Sequence, residues 1–107
     1  MNDASKNHEF LRGQSGHSWS KELRRLAAFG VADGENIADM GCGPGWVTER
    51  LAAAFPASRV VGIDHDSRKL DRARERLDAA THPRIAYHEG KADLSGLPSQ
   101  SFDVVYG

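Results

Sequence analysis

The chain has a single cysteine, Cys42, among 107 residues, which excludes an internal disulfide and leaves no cysteine cluster for a metal. It has no excess of either charge. Lys and Arg number 14 against 15 Asp and Glu, for a formal net charge of −1 at pH 7, so nothing announces a polyanionic partner and nucleic acid is not favoured. No apolar run approaches the roughly 18 residues of a membrane span. The opening MNDASKNHEF has no apolar stretch of the kind a signal peptide carries. Internal repeats and low-complexity tracts are also missing, and the length is too short for two domains. These absences read as a soluble, cytoplasmic, single-domain protein that does not meet a membrane.

What is present falls into a flexible N-terminal arm, residues 1–17, and a patterned region, residues 18–107. The arm is polar and without period. From Ser18 on, Leu23, Leu26 and Ala27, with Trp19, recur at helical spacing; Ser18 or Ser20 can cap the start and Gly30 the end. A short strand follows over 36–40. Val47, Leu51, Ala54 and Phe55 give a second helical stripe that stops at Pro56. RVVGID, 59–64, is a compact β-branched run of the kind found in buried strands. A third helix is expected over about 67–80, with Leu70, Ala73, Leu77 and Ala80 inward and a mixed-charge, solvated outer face. Strands are expected at 84–89 and 102–106. The order helix-strand-helix-strand-helix-strand-strand predicts an α/β protein with a Rossmann-like, doubly wound parallel sheet.

The most informative stretch is IADMGCGPGWVTERL, residues 37–51. Asp39 stands in an apolar run, glycines follow at alternate positions (Gly41, Gly43, Gly45), and a helical pattern then opens. In a doubly wound fold the turn after the first strand borders the ligand crevice. Glycine there removes the Cβ that would collide with a ligand, and the next helix presents free N–H groups that favour an anion. A dinucleotide site would place its third glycine at position 46, where Trp46 stands instead, and the charge of Asp39 would oppose a pyrophosphate. A carboxylate two residues before the first glycine suits a ligand with a cation beside its anion, as at an amino-acid end. Asp64, 19 residues beyond Gly45, ends the second patterned strand, where an acidic side chain reaches ribose hydroxyls. An amino acid and a ribose joined in one molecule describe S-adenosylmethionine.

These residues resemble the class I S-adenosylmethionine-dependent methyltransferases, especially the small-molecule enzymes that include the quinone-biosynthesis methyltransferases. The likeness runs from about residue 20 to 107 through ADMGCGPG, VVGIDHDSRKLDRAR and KADLSGLPSQSFDVVYG. It implies that Asp39 holds the methionine ammonium, directly or through water, and that Gly41, Gly43 and Gly45 pass under the methionine end. It implies also that Asp64 binds the ribose, His65 lies against the adenine, and Asp93 beside Ala92 meets the adenine amino group. One departure stands out: Gly90 is followed by Lys91, and Asp93 comes two positions later than in many members.

The resemblance further implies that the sequence is the N-terminal part of a longer domain, truncated after the fourth strand at Gly107. Physics points the same way. The first two right-handed crossovers share one face of the sheet, GKADLSGLPSQS is a poor helix former, and VVGI and DVVY are apolar on both sides, so one face and the fourth-strand edge are expected to be bare. A partner, or self-association through that face or edge, is the alternative cover. No catalytic residue is nominated. Of the five histidines, His8 and His17 fall in the arm, His82 in a turn and His88 at a strand end, without metal-ligand spacing; Trp19 and Trp46 could line the pocket but read rather as helix-packing residues. Three functions remain open: a methyltransferase acting on a small-molecule acceptor, a non-catalytic cofactor-binding module, and a nicotinamide-dependent oxidoreductase.

Overall fold

Ser18 accepts a hydrogen bond from the Lys21 N–H at 3.2 Å and so starts the first helix. In the computed structural model, which describes residues 9–11, 18–77, 82–90 and 102–107, the elements in chain order are β1 (Glu9–Leu11), α1 (Trp19–Ala28), β2 (Ile37–Met40), α2 (Trp46–Ala54), β3 (Val60–Asp64), α3 (Ser67–Arg76), β4 (Ile85–Glu89) and β5 (Val104–Tyr106). Asp66 caps α3 by accepting from the Arg68 N–H at 3.0 Å. The third helix ends at Arg76, with Leu77 as its cap; the expected extension to Ala80 lies outside the described residues. No helix among the described residues is long and apolar enough to cross a membrane.

The strands form one sheet in the order β1-β5-β2-β3-β4, and every neighbouring pair is parallel. The chain steps outward from β2 to β3 to β4 and then returns to β5 on the other side of β2. The order therefore reverses at β2, and the crevice of such a sheet lies at the carboxyl ends of the strands at that point.

Period-two alternation divides the sheet into two faces. Ile37, Val60, Val104 and Tyr106 pack with Leu26 of α1 and Leu51 and Ala52 of α2. Glu22 of α1 is buried on this side, ion-paired to Arg25 and accepting from the Tyr106 hydroxyl, which ties α1 to the carboxyl end of β5. Ala38, Met40, Ile63 and Val105, with Phe102, form a second cluster.

Three expectations are corrected here. The second face is not bare, because its five residues are all 8% exposed or less. The edge of β5 is not bare either: Glu9–Leu11, inside the stretch expected as a loose arm, pair with Val104–Tyr106. Finally, Trp46 is no core residue; it is 59% exposed, with the Arg76 guanidinium 3.8 Å from its ring centre and Arg76 ion-paired to Glu49. A cation–π contact of this kind operates at exposed sites, so the ring need not be buried to take part in it.

The carboxyl end of α2 is closed by a side chain distant in sequence. The Arg84 guanidinium, just before β4, donates to the carbonyls of Ala52 (3.2 Å), Phe55 (3.1 Å) and Ser58 (2.7 Å), satisfying groups that a helix end leaves without partners. Replacing Arg84 with Ala is expected to cost about 2 kcal/mol and to lower the melting midpoint by roughly 10 °C, read by circular dichroism. An unchanged midpoint would show that water serves those carbonyls equally well.

Candidate functional site

The turn between β2 and α2 is built from residues that few side chains could replace. Gly43 and Gly45 adopt φ of +56° and +91°, a left-handed conformation that a Cβ disfavours. The turn is pinned to its neighbour strand by backbone: the N–H groups of Gly41 and Cys42 both donate to the Ile63 carbonyl, at 2.7 and 3.1 Å. Gly45 forms the N-terminal cap of α2 without any side-chain hydrogen bond, so among the described residues no capping side chain covers the first turn, and the positive end of the helix faces the crevice.

Two carboxylates flank this turn. Asp39, third residue of β2, is 3% exposed, and its Oδ2 accepts from the Thr48 hydroxyl at 2.7 Å. Burial, helped by the nearby Asp64 charge, pushes the Asp39 carboxyl up from its ordinary 3.8 to about 6, while the Thr48 hydrogen bond works the other way. Asp64, last residue of β3, is 6% exposed; its Oδ2 accepts from the Gly43 N–H at 2.8 Å and its Oδ1 from the Asp66 N–H at 2.8 Å. His65 extends from the same corner, with its side chain 86% exposed and Nδ1 3.6 Å from Asp64 Oδ1. The structure thus brings Asp39, the glycine turn, Asp64 and His65 together at the carboxyl ends of β2 and β3. Ala92 and Asp93 lie outside the described residues.

The three turn glycines do not share one reason for being glycine. A Cβ at Gly41 or Gly43 would meet nothing within 4 Å, so these two border open space. A Cβ at Gly45 would stand 2.3 Å from the Tyr87 hydroxyl oxygen, and one at Gly62 would be 2.7 Å from the Tyr87 ring and 2.9 Å from Cys42 Sγ. Gly45 is therefore also required by the packing of Tyr87. Cys42 itself is buried, and its thiol is pushed up to about 12 chiefly by that burial, which leaves it an unreactive filler.

Sequence reasoning overlooked Thr48, Gly62 and Tyr87. Thr48 is 0% exposed on a helix face otherwise apolar, and a polar residue at a core position signals a buried partner. Gly62 sits inside a strand, which marks close approach of another group. Neither signal says which residue approaches.

A family model described as a methyltransferase domain matches residues 37–107. The trans-aconitate 2-methyltransferase of Paracidovorax citrulli is 40% identical, over 60% of this chain and 30% of that protein. Among solved structures, an S-adenosylmethionine-dependent methyltransferase from Mesorhizobium loti is 35% identical, with a TM-score of 0.62 over 88% of this chain and 40% of that one. A phosphoethanolamine N-methyltransferase from Haemonchus contortus, in complex with S-adenosyl-L-methionine, is 29% identical, with a TM-score of 0.68 over 82% of this chain and 20% of that one. The chain spans about 30% of the length of the curated relatives it matches.

The environment of Asp39 sets a pH dependence of stability. The folded state holds this proton up to about pH 6, whereas the unfolded chain releases it near 3.8. Between those values the folded state binds more protons, so stability falls as pH rises from about 4 to about 6 and stays lower above that. At about 1.4 kcal/mol per unit, the loss is on the order of 3 kcal/mol. Replacing Asp39 with Asn removes it. Melting curves from pH 4 to 8 should show the variant more stable than the wild type at pH 7.5 and the difference shrinking toward pH 4; a constant difference would show that Asp39 is not held strained in the folded state.

Proposed function

Since the chain belongs to the class I S-adenosylmethionine-dependent methyltransferases, we propose that it binds S-adenosylmethionine at the carboxyl ends of β2 and β3 and serves methyl transfer to a small-molecule acceptor. The observation that carries this reading is the pairing of two buried carboxylates, Asp39 and Asp64, across a glycine turn whose Gly41 and Gly43 border open space. That arrangement fits the cofactor group by group. Asp39 holds the ammonium, the bare turn and the uncapped start of α2 receive the carboxylate of the methionine end, Asp64 accepts from the ribose hydroxyls, and His65 lies along the adenine, with Ala92 and Asp93 assigned to the adenine by resemblance. An NAD pyrophosphate would instead lie beside the Asp39 charge.

When bound, the cofactor supplies an electrophilic methyl group on a sulfonium sulfur. The work of these residues is placement. They fix both ends of the ligand, so that an acceptor can be brought into line with the methyl group, and orientation of that kind is the main catalytic contribution the chemistry asks for. Support for a small acceptor comes from relatives that act, by their names, on trans-aconitate and on phosphoethanolamine.

Calorimetric titration of the 107-residue chain tests the proposal. Saturable binding of S-adenosylhomocysteine with no response to NAD is expected, and the reverse result would overturn it in favour of an oxidoreductase. Asp64→Ala should weaken S-adenosylhomocysteine at least about a hundredfold, since hydrogen bonds to a charged group are lost. Undiminished affinity in that variant would show that the ribose is held elsewhere.

A further inference from the structure

Asp39 can meet a ligand cation only if its carboxylate is fixed, ionised and aimed, and the residues that fix it form a frame of their own. The Tyr87 ring, from β4, crosses Gly62 of β3 and ends with its hydroxyl beneath Gly45 at the start of α2. Ala73 of α3 closes the same spot, 3.2 Å from where a Gly45 Cβ would be. The Tyr87 hydroxyl is buried and lies against Thr48, so Tyr87 sets how near α2 sits to β3, and so where the first turn of α2 carries Thr48. The Thr48 hydroxyl then reaches Asp39 Oδ2 at 2.7 Å from a fully buried position.

We propose that Thr48 is a positioning residue for cofactor binding: within the frame set by Tyr87, Gly62 and Gly45, it holds one oxygen of Asp39 so that the other is presented to the ammonium of the methionine end. This rests on the cofactor reading above and adds to it a residue that need not touch the ligand. Facing Asp39 are Asp64 from β3, Cys42 from the turn, Thr48 from α2 and the phenols of Tyr87 from β4 and Tyr106 from β5. Arg76 of α3 acts on Tyr87, and Glu22 and Arg25 of α1 on Tyr106. Burial pushes the thiol and the Tyr87 phenol up to about 12 and raises the Tyr106 phenol as well. All three stay neutral from pH 5 to 8, so none of them can replace the Thr48 hydrogen bond by supplying charge. Without that bond the ionised carboxylate loses a donor, and its protonated form is favoured to higher pH.

The test compares two ligands over pH 5–8 on the wild type, Thr48→Val and Thr48→Ser. S-adenosylhomocysteine carries the amino-acid end; 5′-methylthioadenosine keeps the adenine and ribose and lacks it. Thr48→Val should lose about tenfold in affinity for the first at pH 7 and leave the second unchanged, and the pH at which S-adenosylhomocysteine binding is half-maximal should rise by about one unit. Thr48→Ser should restore both. Should the valine variant not fold, Thr48→Cys, a weaker donor of similar size, gives the same reading. Equal losses for the two ligands, or an unshifted pH profile, would overturn the proposal by showing that Thr48 matters only for packing. A wild type that binds neither ligand would remove the cofactor reading and this proposal with it, an outcome distinct from failure of the Thr48 role alone.

Discussion

The hydrogen bond from the Gly43 N–H to the Asp64 carboxylate joins the two halves of the site and depends on nearly every other feature of the fold. It requires β2 and β3 to be parallel neighbours in a register that sets Met40 beside Ile63, so that the turn leaving β2 passes the last residue of β3. It also requires the turn to follow a path open to glycine. A single carboxylate thus serves two structural N–H groups, those of Gly43 and Asp66, and has acceptor capacity left for a ligand, since each carboxylate oxygen can take more than one hydrogen bond. The ribose end and the methionine end of the proposed ligand are consequently linked through the protein before any ligand arrives.

Asp39 is the strained member of the pair. Its carboxyl is held in surroundings that favour the neutral form, against a neighbouring carboxylate and, among the described residues, with a hydroxyl in support. Such a group gains from meeting a cation in proportion to what it lost on burial. In the proposed complex, part of the affinity for the ligand ammonium comes from relieving Asp39. The cost falls on the stability of the ligand-free protein, a common arrangement at functional sites.

Of the fold, the element order, the parallel sheet and the glycine turn were legible because each has a local cause. β-Branched runs such as VVGID prefer buried strands, Ser18 can serve a helix start, and glycine at 43 and 45 permits the left-handed backbone. What was not legible depends on neighbours remote in sequence. Glu9–Leu11 carry no strand signal and become a strand beside β5, whose open edge offers hydrogen-bond partners. Trp46, read as a helix-packing residue, lies outside, because the helix start that carries it opens toward solvent and Arg76 reaches over its ring.

By itself the sequence determined the chemistry at hand: two carboxylates, Asp39 and Asp64, separated by a glycine turn, one near the end of its strand and one at the end, in an α/β chain. Backbone preference, side-chain charge and apolar period are properties of short stretches, and they survive being read in order. The tertiary structure alone decided that Gly45 and Gly62 make room for Tyr87, that Thr48 rather than a basic residue supports Asp39, and that Asp64 fastens the turn as well as facing the crevice. Those are matters of which atoms exclude one another across β2, β3, β4 and α2, and only close packing in three dimensions sets them.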